Sequence, residues 1–235
     1  MAWDTATGGM IAADAPLSER TAFIRKTYLH LGGAVLAFIA LEAVLLNSPL
    51  ARPLVQTMLG GRMSWLIVLG AFMLVGWVAD RWARSAASPA MQYLGLGLYV
   101  VAEAIIMLPL LYVAAYFSGD PNIIAKAGVL TGLVFVGLTG TVLLTRRDFS
   151  WLRPALTVAG FAALGLIVVS ILFGFTLGTL FAAVMVVVAA GYILYYTSNV
   201  LHHYPVGSHV AAALTLFSSV ALLFWYILRI LMDRR

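Results

Sequence analysis

Two acidic residues stand inside long apolar stretches and are the strongest candidates for chemistry in this sequence. Glu42 lies five residues before Asn47, and Glu103 is flanked by the apolar runs Val100–Ala102 and Ala104–Ile106. A charge at the centre of a bilayer costs about 2.5–3.5 kcal/mol on insertion scales, so such a side chain usually faces the interior of a helix bundle. The position of Glu103 therefore indicates one of two roles. It belongs to a path for cations or protons, or it is a protonated carboxyl that is hydrogen-bonded to a neighbouring helix. Glu42, nearer its helix end, is a candidate for the same path, although the second interpretation is favoured there.

The histidines are the second group that could do chemistry, as metal ligands. His202, His203 and His209 form the only cluster, and His30 lies far from them along the chain. Adjacent histidines do not share a helix face, and His203 and His209 lack the i, i+4 spacing of a helical zinc pair. No acid stands near them in the sequence. We therefore predict a polar loop at the membrane interface and no metal site.

Catalytic motifs are absent from the sequence. The chain has no cysteine, which excludes disulfides and thiol nucleophiles. It contains no GxSxG, no phosphate-binding loop and no dinucleotide fingerprint, so we expect neither an enzyme nor a bound cofactor. The net charge of +5 comes from Lys and Arg placed between apolar segments. That pattern is typical of membrane loops facing anionic lipid rather than of a nucleic-acid-binding surface.

The composition requires that these side chains be positioned by membrane helices. Of 235 residues, 63% are hydrophobic and only 10% are charged, whereas soluble domains carry about 25% charged residues. A span needs about 20 apolar residues to cross the hydrocarbon. The apolar runs predict seven transmembrane helices in a lipid bilayer, at 27–46, 64–79, 89–117, 123–144, 154–173, 176–196 and 209–231. Residues 1–22 are expected to form a cytoplasmic, partly disordered tail, and 23–235 the transmembrane domain.

The orientation of the bundle follows from the positions of Lys and Arg. With the N-terminus inside, the inner side carries eight of them and the outer side six. The inner set is Arg20, Arg25, Lys26, Arg81, Arg84, Arg146, Arg147 and Arg153; the outer set is Arg52, Arg62, Lys126, Arg229, Arg234 and Arg235. This difference predicts a cytoplasmic N-terminus.

Gly128 and Gly132 form a GxxxG pair in the fourth predicted span. Small residues at this spacing let a second helix approach closely. The pair is interpreted mainly as a packing surface inside the bundle, and alternatively as an interface for a partner protein.

Three segments together resemble the Bax inhibitor family, also called the transmembrane Bax inhibitor motif family. The segment 23–28, Phe-Ile-Arg-Lys-Thr-Tyr, is similar to the family's entry into its first span. The segment 145–152, Thr-Arg-Arg-Asp-Phe-Ser-Trp-Leu, is similar to the family's loop between the fourth and fifth spans. The segments 192–195 and 213–217, followed by 223–229, resemble its last two helices. The resemblance covers nearly the whole chain in order and number of spans.

The resemblance implies an all-α integral membrane fold in which two three-helix layers surround a central C-terminal helix. It also implies the family's activities. These are a pH-sensitive leak of Ca²⁺ and, for some bacterial members, binding to the membrane AAA protease FtsH in the bacterial inner membrane. Eukaryotic members protect against stress-induced cell death.

This sequence departs from the family at the residues that gate the leak. Calcium-leaking members carry two aspartates that pair with a basic residue near the second span, and Tyr196 and Ser219 occupy those positions here. Arg81 or Arg84 matches the basic partner. Neutral residues neither titrate nor offer Ca²⁺ an anionic ligand. Two hypotheses follow: a cation leak past Glu103 without the family's pH gate, or a non-conducting regulator that binds another membrane protein.

Overall fold

The computed structural model describes residues 10–85 and 88–233, and this part of the chain is helical apart from short connections. Seven of the helices are long and apolar enough to cross a membrane, as the sequence predicts. An eighth, short helix precedes the second span and is too short to cross, because a span needs about 20 residues. The helices are α1 (Leu17–Leu46), α2 (Ala51–Leu59), α3 (Arg62–Ala83), α4 (Pro89–Phe117), α5 (Ile123–Thr145), α6 (Arg153–Phe173), α7 (Gly178–His202) and α8 (His209–Asp233).

The last helix is the centre of the bundle. Within α8, 67% of the apolar window is buried, against 6% in α3 and 11% in the window ending at Phe173. Helices α1 and α3 flank α4 on one side, and α5 and α6 flank α7 on the other. Helices α1, α4, α5 and α7 all pack on α8. This arrangement confirms the predicted two three-helix layers around a central C-terminal helix.

Two helices extend beyond their predicted limits. Helix α1 begins at Leu17 rather than at residue 27, and α7 continues to His202 rather than ending at residue 196. The segment before α1 is also held in place, because the amide of Ala12 donates to the carbonyl of Tyr204 at 2.9 Å. Residues 10–22 of the expected tail therefore have a defined structure and include the first six residues of α1, and the expectation of a partly disordered tail stays a prediction. Residues 1–9 lie outside the described residues.

The first layer depends on a close approach between α3 and α4 at Gly95. A Cβ atom at this position would lie 2.5 Å from the carbonyl oxygen of Ala79 and 2.5 Å from the amide nitrogen of Ala83. Real Cβ atoms do not approach backbone atoms this closely, so only glycine fits. This contact fixes the height of α4, and with it the height of Glu103, relative to α3.

Candidate functional site

A cavity of about 850 Å³ opens at the end of the bundle where α2 joins α3, where α6 turns into α7 and where α8 ends. Helices α3, α4, α6 and α8 form most of its wall. The wall is largely apolar and aromatic, with Trp65, Phe72 and Trp225 among the side chains that line it. Glu103 also lines the cavity. The structure thus places the predicted mid-membrane acid on a space that opens at one face of the bundle.

Glu103 lies in a small polar group within this apolar wall. Its side chain is 7% exposed. The hydroxyl of Tyr99, one turn earlier on α4, interacts with the Glu103 carboxyl and with Ser218 on α8. Phe72 and Phe217 hold the ring of Tyr99 at centroid distances of 6.0 Å and 6.1 Å. The carboxyl is therefore held against one phenol by aromatic packing.

Glu42 reaches the same region from α1. Its side chain is 4% exposed, and neither carboxyl oxygen has a hydrogen-bond partner among the described residues. It interacts electrostatically with Glu103, although it does not belong to the cavity lining. Two ionised carboxylates in a low-dielectric interior repel each other. A proton or a metal cation therefore stabilises the pair.

The mouth of the cavity carries charges of both signs. Nη1 of Arg62 donates to the carbonyl of Leu172 over 3.4 Å, and a Cβ atom at Gly174 would collide with the same guanidinium. Gly174 has φ +76° and ends α6, so the arginine covers the carbonyl end of that helix. Arg229 and Asp233 stand across the opening on α8. Because Arg62 binds the end of α6, its charge is partly used there, and the mouth selects only weakly by charge.

The cavity ends at a buried apolar cluster toward the other face of the bundle. Leu96 and Val100 on α4 and Phe217 on α8 belong to this cluster, and each is at most 8% exposed. Tyr99 and Tyr196 pack against it. Among the described residues, this cluster therefore lies between Glu103 and the opposite face of the bundle.

The two positions that match the family's acidic pair, Tyr196 and Ser219, carry no acid, unlike Glu103. Tyr196 on α7 lies near the guanidinium of Arg84, whereas Arg81 lies 5.8 Å from the ring centroid of Trp77. Of the two arginines predicted as the basic partner, Arg84 is the one that lies near Tyr196, and its role stays a prediction. The hydroxyl of Ser219 donates to the carbonyl of Thr215 at 2.9 Å, within its own helix.

Gly128 and Gly132 do not pack inside the bundle. Both are exposed on α5, and a Cβ atom at either would meet nothing within 4 Å. The interpretation as an internal packing surface is therefore wrong. The interface for a partner stays a prediction.

The histidines form two separate pairs instead of one cluster. Nε2 of His203 lies 3.2 Å from Oδ2 of Asp148, an acid that is distant in the sequence. The rings of His30 and His209 are 4.8 Å apart, and Nε2 of His30 lies 3.2 Å from the hydroxyl of Tyr93. Across residues 10–85 and 88–233, no group of three or more His, Asp or Glu side chains is placed to hold a metal ion. Sequence spacing carries no signal for either contact, because both join residues that are distant in the chain.

The sequence of this chain matches a family model and two curated proteins over nearly its whole length. The family model described as "Inhibitor of apoptosis-promoting Bax1" matches residues 20–235. The chain is 29% identical to the Golgi anti-apoptotic protein of vaccinia virus (strain Lister) over 228 residues, which cover 95% of this chain and 90% of that protein. It is 26% identical to Protein lifeguard 4 of Mus musculus over 230 residues, with the same coverage of 95% and 90%. It is also 35% identical over 118 residues to an uncharacterized protein of Pseudomonas aeruginosa, covering 48% of this chain and 53% of that one.

Proposed function

The chain belongs to the Bax inhibitor family of multi-pass membrane proteins, and on this premise we propose that it is a cation leak whose path passes Glu103. The ion is Ca²⁺ or another small cation that moves down its gradient. As proposed, the protein binds and passes ions and catalyses no reaction.

The observation that carries this proposal is the cavity that leads from one face of the bundle to Glu103. An intramembrane acid on a space of this kind is expected to mark an ion path. The carboxyl of Glu42, which lacks a hydrogen-bond partner among the described residues, adds a second acidic group nearby. A cation at this level would relieve the repulsion between the two carboxylates.

The leak is expected to be slow and independent of a titrating gate. Ca²⁺ usually takes six to eight oxygen ligands, and two carboxyl groups fall far short of that number. The apolar cluster around Phe217 has to yield before an ion crosses. The position beside Arg84 holds Tyr196 instead of an acid, so the proposal includes no acid–base pair that opens or closes the path.

We place this activity in a bacterial cytoplasmic membrane with the N-terminus inside. The similarity to the Pseudomonas aeruginosa protein and to a membrane protein of Vibrio cholerae supports this location. Among described residues, eight Lys and Arg lie at the end of the bundle that holds the start of α1, and four (Arg52, Arg62, Lys126 and Arg229) lie at the other. The distribution of basic residues sets the orientation of membrane helices. In this orientation the cavity opens away from the cytoplasm.

The test is cation flux into liposomes that contain the purified full-length protein. Flux of Ca²⁺ is measured at pH 6 and pH 8 for the wild type and for Glu103→Gln. Glu19→Gln, at the exposed start of α1, is the matched control because it makes the same chemical change outside the cavity. We expect wild-type flux that varies little with pH, is lost in Glu103→Gln and persists in Glu19→Gln. Flux no greater than in empty liposomes, or equal flux in all three proteins, contradicts the proposal.

A second candidate function rests on the exposed glycines of α5. Gly128 and Gly132 leave a shallow strip on the outer face of the bundle, where a helix of another membrane protein can approach closely. We propose as the alternative a non-conducting regulator of a membrane protease of the FtsH type. Co-purification from the native membrane is then expected to recover that protease, and Gly128→Ile with Gly132→Ile to lose it. Gly137→Ile on the same helix, which also meets open space, is the control; equal recovery with all variants would contradict the alternative.

A further inference from the structure

A second cavity, of about 660 Å³, opens at the face of the bundle opposite the mouth of the first. It lies between α6 and α7, near the end of α3 and the α7–α8 loop. Its lining combines basic, aromatic and apolar side chains, and none of the lining residues that the structure describes is Asp or Glu. A basic pocket between membrane helices at this level is suited to the headgroup of an anionic lipid.

Two arginines supply the positive charge of this cavity. The side chain of Arg153, at the start of α6, makes no hydrogen bond or ion pair with the residues that the structure describes. Arg84 donates to both carboxylate oxygens of Asp80 through Nε, at 2.9 Å and 2.8 Å, and its side chain also forms a hydrogen bond with Tyr204. A guanidinium has five N–H donors, so these contacts leave Arg84 capacity for a further acceptor. An arginine that offers two terminal donors fits the oxygens of a phosphate group.

Neutral donors in the same cavity lack protein partners. The side chain of Asn199 is 9% exposed and lines the cavity, yet it makes no hydrogen bond with a described residue. The hydroxyls of Tyr195 and Tyr196 also face no protein acceptor within the described ranges. The neighbouring Tyr192 differs, because its hydroxyl donates to the carbonyl of Leu156 at 2.9 Å. An amide that lines a cavity and has no protein partner is available to a ligand or to ordered water.

The outer part of the cavity is apolar and continues onto the lipid-facing surface. Leu156 and Leu164 line it on α6, and Phe161 beside them is 73% exposed. Polar donors at the interface that continue into an exposed apolar strip match a phospholipid, whose headgroup and acyl chain are joined end to end. A free phosphate ion would use only the polar part.

We propose that this second cavity is a binding site for an anionic phospholipid, with its phosphate at Arg84 and Arg153 and its acyl chain along Phe161. Asn199 donates to the headgroup oxygens. The site lies in the leaflet on the side of the α7–α8 loop. The proposal does not depend on the cation leak, since no described residue lines both cavities.

Native mass spectrometry of the full-length protein in detergent tests this site. The probes are phosphatidylglycerol and phosphatidylcholine with identical acyl chains, and inorganic phosphate alone. Arg153→Gln and Asn199→Leu alter the cavity, and Arg147→Gln is the control because it removes an exposed charge at the same face outside the lining. We expect one phosphatidylglycerol to be retained in preference to phosphatidylcholine. Loss of one charge-assisted hydrogen bond in Arg153→Gln is expected to weaken its binding about tenfold.

The Asn199→Leu variant distinguishes a specific binding site from general attraction between charges. Asn199→Leu keeps every charge, so weaker binding in this variant supports the site. Equal weakening in Arg147→Gln and Arg153→Gln, or equal retention of the two lipids, overturns it. Phosphate bound as tightly as the lipid overturns the assignment to a phospholipid. Because Arg153 is exposed, Arg153→Gln remains informative if Asn199→Leu does not fold.

Discussion

Nε2 of His203 lies 3.2 Å from Oδ2 of Asp148, and this contact joins the α5–α6 loop to the end of α7. Oδ1 of the same aspartate accepts from the amide of Ser150 at 2.8 Å and from the hydroxyl of Ser198 at 3.1 Å. Ser198 in turn accepts from the amide of Phe149 at 2.8 Å. In the loop that resembles the family's motif, Asp148 therefore starts the turn before α6 and anchors this loop to α7. We call these contacts of Asp148 the clamp.

The first prediction is that this clamp weakens in acid. Burial acts to raise the pKa of Asp148, but hydrogen bonds from Ser150 and Ser198 and the adjacent His203 hold that pKa below its ordinary value. A lowered pKa in the folded state adds stability above the unfolded-state pKa, and this stability is lost as pH falls through the folded-state pKa. We expect the Tm of the wild type in detergent to decrease as the pH is lowered under about 4. In Asp148→Asn, the part of this decrease that comes from Asp148 should be absent.

The control for the clamp is Asp14→Asn, which changes an exposed acid before α1. It should keep the wild-type dependence of Tm on pH. An Asp148→Asn protein with the same acid profile as the wild type would show that the aspartate does not stabilise the fold through its charge.

The second prediction concerns the close approach of α3 and α4. Gly95→Ala puts a methyl group against the carbonyl of Ala79, so the helices must separate, and overpacking of this kind costs about 1–3 kcal/mol. Gly97→Ala, two residues later, meets open space and gains about 1 kcal/mol of helix propensity. Thermal unfolding in detergent should therefore show a lower Tm for Gly95→Ala and an unchanged or higher Tm for Gly97→Ala. The reverse order would contradict the packing of α3 on α4.

The number and order of the spans could be predicted because the bilayer demands long apolar runs. The extension of α7 could not, because Ser198, Asn199 and His202 have the composition of a loop. Those polar side chains are compatible with a helix here because Ser198 and His202 bind groups in the α5–α6 loop. Helix α2 was missed since nine residues containing Arg52 and Pro53 give no membrane signal.

The candidate site, too, could be predicted from the sequence only in part. Glu103 could be found from its sequence, because an acid within an apolar run is rare and costly. Its electrostatic interaction with Glu42 could not, since α1 and α4 meet only in the folded bundle. The contacts of Arg84 with Tyr196 and of Asp148 with His203 likewise join different elements, and sequence spacing carries no signal for them.

The third prediction is that Glu42 destabilises the fold. Its two carboxyl oxygens are buried without a hydrogen-bond partner, and a buried unsatisfied polar group costs about 1–3 kcal/mol. Glu42→Met keeps the length of the side chain and removes both the polar group and the interaction with Glu103. We expect a higher Tm in detergent together with a lower cation flux, whereas Glu19→Gln changes neither. A lower Tm in Glu42→Met would mean that the carboxyl makes a stabilising interaction in the bundle.

The last prediction returns an acid to the position that lies near Arg84. In Tyr196→Asp, the new carboxylate is expected to pair with Arg84 when ionised and to leave it when protonated, because only the charged form attracts a guanidinium. If ions pass this level of the bundle, flux in Tyr196→Asp should become pH-dependent, lower at pH 8 than at pH 6. Tyr196→Phe keeps the ring without a titrating acid and should show no such difference. Since Asp80 already occupies Nε of Arg84, the new acid has to use the terminal nitrogens, and Asp80→Asn should strengthen the pH dependence. Equal flux at the two pH values in Tyr196→Asp would place the ion path away from Tyr196 and Arg84.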